Sequence, residues 1–156
     1  DYRQWHKEGW IRITSGNVID IVEMVTDLSG ILKKYAVQIV AYDPAKAYHG
    51  VIQGLQKEGL DDLLSEYPQS IVNMSEPTKR IEADVSSGAV DLMGNPVIRW
   101  MFRNVVVYRD ANDNIKMDKK RSVEKIDGCV AMANASGAFM SESDDDGGME
   151  VYSLNI

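Results

Sequence analysis

The sequence predicts a single α/β domain, because short apolar runs typical of strands alternate with helical patterns along its 156 residues. The run at residues 37–41 (VQIVA) reads as a buried strand between two amphipathic segments. Residues 104–108 (NVVVY) form the strongest strand pattern, and a turn rich in Asp and Asn follows them, which indicates a β-hairpin. A chain of this length is typical of one domain with a buried core.

The first half of the chain is predicted to alternate strand and helix. Residues 10–14 (WIRIT) alternate apolar and polar side chains and predict a short strand. A helical pattern then runs from residue 18 to Lys34, followed by the strand at residues 37–41 and a helix at residues 46–57. Pro44 disfavours a helical conformation for the residue before it, so Asp43 is expected in extended geometry at the end of that strand.

The second half is predicted to hold three helices and several short strands. We expect helices at residues 77–87, from Pro96 onward, and from Ser122 to about Phe139, with Ser122 as the N-cap. Strands are expected at residues 71–72, 89–92, 104–108 and 115–117. The apolar side of the last helix consists mostly of small residues, which predicts close packing: Ile126, Cys129, Val130, Ala133 and Gly137.

Composition and cysteine content exclude several classes of protein. Hydrophobic residues make up 44% and charged residues 26%, which is ordinary for a globular chain. No apolar run approaches the roughly 20 residues of a membrane helix, so no membrane partner is expected. The polar N-terminus lacks the apolar core of a signal peptide. Cys129 is the only cysteine, which excludes an internal disulfide and favours a cytosolic location.

Charge is distributed unevenly and divides the chain into two parts. Residues 141–156 hold five acidic groups and no basic one, and without them 17 basic groups face 19 acidic ones. We therefore assign residues 1–140 to the folded domain and residues 141–156 to an acidic flexible tail. Within the domain, residues 99–125 carry eight basic and four acidic groups. A basic stretch on an acidic body suggests a partner that bears phosphates, although a solvated loop has the same composition.

Familiar site motifs are absent or incomplete. Residues 110–114 (DANDN) copy the start of a calcium loop, but Ile115 and Arg121 stand where that loop needs Gly and Glu. His6 and His49 lack the spacing of a zinc helix. No GxxxxGK[ST] loop is present, which excludes that mode of nucleotide binding.

Two carboxylates stand out by their context. Asp43 closes an apolar strand, and Asp127 is expected one to two turns into a helix that otherwise looks buried. One interpretation is a turn-forming Asp43 and a surface-facing Asp127. The other is a site for Mg²⁺ or Mn²⁺, which prefer oxygen ligands and, as a pair, can activate a water against a phosphodiester.

Several ordered stretches resemble the C-terminal nuclease domain of the terminase large subunit, the DNA-packaging motor protein of tailed bacteriophages. They are residues 5–10 (WHKEGW), 16–20 (GNVID), 41–44 (AYDP), 77–79 (PTK), 94–101 (GNPVIRWM), 104–107 (NVVV) and 122–128 (SVEKIDG). The most specific part of this ordered set is residues 95–101 (NPVIRWM) followed by residues 124–128 (EKIDG).

The resemblance implies an RNase H-like fold, with a mixed central sheet flanked by helices and with the first strand or strands missing. In that family three acidic residues hold two Mg²⁺ or Mn²⁺ ions. Asp43 matches the second of them and Asp127 the third, whereas the first has no counterpart, so the two-metal site is expected to be incomplete. Asp20 and Glu82 are substitutes for it by residue type only. We expect weak or no cleavage by this chain alone.

The resemblance also implies a function and its partners. We expect a metal-dependent endonuclease that cuts double-stranded concatemeric DNA during genome packaging in the cytoplasm of a bacterial host. The implied partners are DNA, the terminase ATPase domain, the small terminase subunit and the portal. Phosphate contacts are expected from the basic hairpin region: Arg109, Lys116, Lys119, Lys120 and Arg121. The alternative is a non-catalytic module that docks DNA or a capsid partner.

Overall fold

The computed structural model describes residues 1–14, 16–47 and 49–145 and confirms the α/β class. Within them lie six α-helices: α1 (Tyr2–Lys7), α2 (Ile21–Lys34), α3 (His49–Lys57), α4 (Ile71–Ser87), α5 (Pro96–Asn104) and α6 (Asp127–Asp145). A short 3-10 helix spans Asp61–Leu63. The strands are β1 (Val40–Tyr42), β2 (Leu64–Glu66), β3 (Val107–Arg109) and β4 (Ile115–Met117). No helix in the described ranges is long and apolar enough to span a membrane.

The described strands form one parallel and one antiparallel pair. β1 lies parallel to β2, with Val40 opposite Leu64, and β3 lies antiparallel to β4, with Tyr108 opposite Lys116. The predicted hairpin is therefore confirmed, and its turn is organised by Asp110. The Asp110 carboxylate accepts hydrogen bonds from the backbone and side chain of Asn114, and the side-chain bond lowers the pKa of Asp110.

The predicted strand at residues 10–14 is wrong, because this segment is irregular and pairs with none of the described strands. Arg12 within it is instead ion-paired to helix α2, 2.9 Å from Glu23. α2 begins at Ile21 rather than at residue 18, because Asp20 caps it by accepting hydrogen bonds from the Val22 and Glu23 amides. Asp20 therefore has a structural role.

The predicted strand at residues 71–72 is also wrong, because α4 begins at Ile71. Ser70 caps it by accepting a hydrogen bond from the Asn73 amide at 3.1 Å. Pro77 lies inside the helix and cannot donate to the Asn73 carbonyl one turn earlier. The Tyr67 hydroxyl donates to that carbonyl instead, at 2.7 Å, and so replaces the missing bond.

Two further predictions fail around α4 and α6. Residues 89–92 form no strand; α4 ends at Ser87 and is capped by Gly88, which has a positive φ of 75°. Ser122 does not cap α6, which begins at Asp127. The Ser122 hydroxyl instead accepts a hydrogen bond from the Val106 amide at 3.2 Å and donates one to the Asp118 carbonyl at 2.8 Å. These two bonds fix the loop that joins β4 to α6.

Two apolar clusters hold the fold. The cluster between α2 and α3 contains Val25, Leu32, Val51, Leu55 and Leu60. The cluster that joins α4, β4 and α6 contains Met74, Ile81, Met117, Ile126, Cys129, Val130 and Ala133. The predicted apolar face of the last helix is confirmed, since its small side chains are the ones that lie in this core. α6 extends to Asp145, and the rest of the predicted acidic tail lies outside the described residues.

We predict that Cys129 is unreactive while the chain is folded. Its side chain is fully buried, and burial raises the pKa of the thiol to about 11. Because the thiolate is the nucleophile, alkylation by iodoacetamide at pH 8 should be at least about tenfold slower in the folded chain than in denaturant. In the folded chain the alkylation rate should keep rising as the pH approaches 11. Equal rates in the folded chain and in denaturant would contradict the burial of Cys129.

Candidate functional site

A cleft of about 460 Å³ lies between the β3–β4 hairpin, α4, α6 and the turn that follows β1. Its floor is apolar, formed by Met74, Met117 and Val130. Its rim is polar and mostly basic, formed by Lys46, Gln69, Tyr108, Lys116, Asp118, Lys119 and Lys120. Apolar side chains below and ammonium groups above suit a ligand with anionic groups.

Asp43 lies directly after β1, as predicted, and begins a tight turn beside the cleft. One oxygen of its carboxylate accepts a hydrogen bond from the Ala45 amide at 3.1 Å. Its backbone carbonyl accepts from the amides of Lys46 and Ala47, at 3.1 and 2.7 Å. This turn directs the chain from the end of the strand to Lys46 on the cleft rim.

Asp127 does not lie one to two turns inside a buried helix, and that prediction is wrong. It is the first residue of α6, and its side chain is 61% exposed. The buried position belongs to the preceding Ile126, which is 1% exposed. The Asp127 carboxylate forms an ion pair with the ammonium group of Lys119, 2.6 Å away, and Lys119 lines the cleft.

Neither aspartate lines the cleft itself, but each is bonded to a lysine that does: the Asp43 carbonyl accepts from the Lys46 amide, and the Asp127 carboxylate pairs with Lys119. The described residues leave one oxygen of each carboxylate without a hydrogen-bond partner. Carboxylate oxygens of this kind suit Mg²⁺ or Mn²⁺. Among the described residues, however, no group of three or more His, Cys, Asp or Glu side chains could hold a metal ion. Each aspartate therefore offers one carboxylate oxygen to a cation, and further ligands would have to complete the set.

The five basic residues predicted to contact phosphates separate into two groups. Lys116, Lys119 and Lys120 line the cleft, whereas Arg109 and Arg121 lie outside its lining. Lys116 donates a hydrogen bond to the Gln69 carbonyl. Outside the cleft, the guanidinium groups are held by neighbours: Arg109 pairs with Asp113 at 2.9 Å, and Arg121 lies 5.3 Å from the Tyr108 ring.

Sequence reasoning missed Lys46, which belongs to the cleft although it lies far from the basic segment. The available signal was its position three residues after Asp43, in the turn that Pro44 begins. Gln69 and Tyr108 were also missed, and no pattern in the sequence marks them as cleft residues. Only the packing of the hairpin and α4 brings them together.

Residues 1–143 match the family described as "Terminase large subunit, endonuclease domain". The chain is 30% identical over 151 residues to the large terminase subunit of Enterobacteria phage HK97, covering 94% of this chain and 29% of that protein. It is 31% identical over 147 residues to protein YmfN of Escherichia coli (strain K12), covering 92% of this chain and 32% of that protein.

A solved structure is also similar. The crystal structure of the HK97 bacteriophage large terminase superposes with a TM-score of 0.79 at 30% identity, over 88% of this chain and 28% of that one. The match confirms the RNase H-like fold class predicted from the sequence. The chain spans roughly a third or less of the length of these relatives.

Proposed function

The chain belongs to the family of terminase large subunit endonuclease domains, and we propose that it is a metal-dependent endonuclease that cuts double-stranded DNA during genome packaging. One observation supports the proposal: each of the two aspartates matched to the family's acidic residues is bonded to a lysine that lines the same cleft, Asp43 to Lys46 and Asp127 to Lys119. A site that joins carboxylates to ammonium groups has the components that phosphodiester hydrolysis requires.

Each group of residues has a role in this proposal. Asp43 and Asp127 hold divalent cations with their carboxylate oxygens. Lys116, Lys119 and Lys120 bind backbone phosphates and place the scissile phosphodiester beside the carboxylates, and Arg109 and Arg121 extend the contact along the duplex. Because these groups contact phosphates, they position DNA without reading its sequence.

Mg²⁺ or Mn²⁺, when bound, would activate the attacking water and neutralise charge on the leaving oxygen. Lys119 has a second role besides binding phosphate. It neutralises Asp127 while no cation is bound, and it becomes available to a phosphate when a cation takes that carboxylate.

The wider assembly follows from the family. We propose that the chain works with an ATPase domain, a small terminase subunit and a portal, inside the cytoplasm of a bacterial host. The relatives are about three times as long as the matched region, which leaves room in such proteins for further domains.

A non-catalytic role in docking DNA or a capsid partner is the second candidate. It is favoured by the ion pair between Lys119 and Asp127 and by the lack of a third acidic ligand among the described residues. A site of this kind binds the DNA backbone without cutting it.

Binding and cleavage should be measured separately on the same chain. We expect retention of duplex DNA in EDTA, and slow nicking of supercoiled plasmid that begins only when Mn²⁺ reaches the millimolar range, about the affinity of a site short of ligands. The measured quantity is the fraction of plasmid converted to the open-circular form over time. Binding without nicking at any Mn²⁺ concentration would favour the docking role, and absence of both would exclude both candidates.

A further inference from the structure

Lysines reach the cleft from two separate parts of the chain. Lys116, Lys119 and Lys120 come from β4 and the loop after it, whereas Lys46 comes from the turn after β1. Lys46 is exposed and therefore accessible to a ligand. The cleft thus has basic groups on two walls, and a bound strand would be contacted from both.

The four ammonium groups differ in the partners that already hold them. Lys119 is paired with Asp127, and Lys116 donates to the Gln69 carbonyl. Within the described ranges, the side chains of Lys46 and Lys120 have neither an ion pair nor a hydrogen bond. These two are the cleft lysines whose ammonium groups no described residue holds in place.

The acidic residue in the cleft does not neutralise them. The Asp118 carboxylate accepts hydrogen bonds from the backbone amides of Lys120 and Arg121, at 2.9 and 3.2 Å, and lies 3.5 Å from the Arg121 side chain. Because two like charges on one cleft repel each other, an anion bound between them is favoured.

We propose that Lys46 and Lys120 together clamp a backbone phosphate of the DNA strand that enters the cleft. The inference rests on the proposed function and adds to it a phosphate contact outside the basic segment. The backbone amide of Lys46 donates to the Asp43 carbonyl at 3.1 Å. The Lys46 backbone is therefore tied through one turn to that of a proposed metal ligand, which places the base of the Lys46 side chain next to Asp43.

The test is binding of a labelled 20-base-pair DNA duplex in EDTA, where no cleavage interferes. Binding is measured by fluorescence anisotropy. Lys46→Ala should weaken binding roughly five-fold at about 0.1 M salt and lower the slope of log affinity against log salt by about 0.9, as expected for one lost phosphate contact. Lys120→Ala should do the same. Lys57→Ala, which removes an exposed lysine from α3 outside the cleft, is the matched control.

Three outcomes are distinguishable. Equal affinity and salt slope for Lys46→Ala and Lys57→Ala, with Lys120→Ala still weakened, would overturn the clamp and leave the proposed function intact. Absence of binding by the unmodified chain would overturn both. Rescue of affinity by Lys46→Arg, together with an unchanged circular dichroism spectrum for Lys46→Ala, would support a phosphate contact over a structural role.

Discussion

Replacing Asp127 with asparagine is expected to lower Mn²⁺-dependent plasmid nicking at least about 100-fold, because an anionic metal ligand contributes several kcal/mol to the transition state and about 1.4 kcal/mol corresponds to tenfold in rate. Asparagine keeps the size of the side chain and removes its charge. Asp127 is exposed at the start of α6, so the fold should tolerate the change. Asp43→Asn is expected to give a loss of similar size.

The control for Asp127→Asn is Glu124→Gln. Glu124 and Asp127 line the same small cavity beside Lys119, and both substitutions remove one negative charge. If metal ligation is the reason for the loss, Glu124→Gln should leave nicking within about two- to threefold of the unmodified chain, since an exposed charge contributes little at moderate salt. Equal losses for the two variants would indicate a general electrostatic effect and contradict the assignment of Asp127.

Asp127→Asn gives a second result in the absence of divalent cations. Removing the Asp127 carboxylate frees Lys119, which then adds an uncompensated ammonium group to the cleft. DNA binding in EDTA should therefore be retained or become tighter while nicking is lost. Opposite changes in binding and cleavage cannot arise from simple unfolding.

Elements with local determinants were predictable from the sequence. The β3–β4 hairpin is fixed by its Asp- and Asn-rich turn. The start of α5 is fixed by Asn95, which precedes Pro96 and whose side chain accepts hydrogen bonds from the Val97 and Ile98 amides. The alternation at residues 10–14 is just as regular, yet none of the strands in the described part of the chain lies beside it to form a ladder. A strand requires a partner, and one sequence segment cannot show whether a partner is present.

The site was predictable only in part, for a related reason. The position of Asp43 follows from Pro44 and the strand before it, which are adjacent in sequence. Lys46 joins the cleft through packing of distant segments, and no local pattern encodes that contact. Asp127 was placed inside a helix because Ser122 looked like a cap, but the Ser122 hydroxyl is used to fix the preceding loop.

The contact between α4 and α6 depends on a glycine. Gly137 of α6 faces Tyr67 and Pro77, and a Cβ at this position would overlap the Tyr67 hydroxyl and lie 2.8 Å from Pro77 Cγ. That hydroxyl replaces the hydrogen bond that Pro77 cannot give to the Asn73 carbonyl. Displacing it would leave the carbonyl without this donor in the middle of α4.

Gly137→Ala is therefore expected to destabilise the fold by about 1–3 kcal/mol, even though alanine favours helix by up to about 1 kcal/mol over glycine. Gly30→Ala in α2 is the matched control, because a Cβ there meets nothing within 4 Å. It should stabilise the chain by about 0.5–1 kcal/mol. Urea unfolding followed by circular dichroism measures both changes. Shifts of the same sign would show that α6 can move away from Tyr67, and that close packing at Gly137 does not limit the stability of the fold.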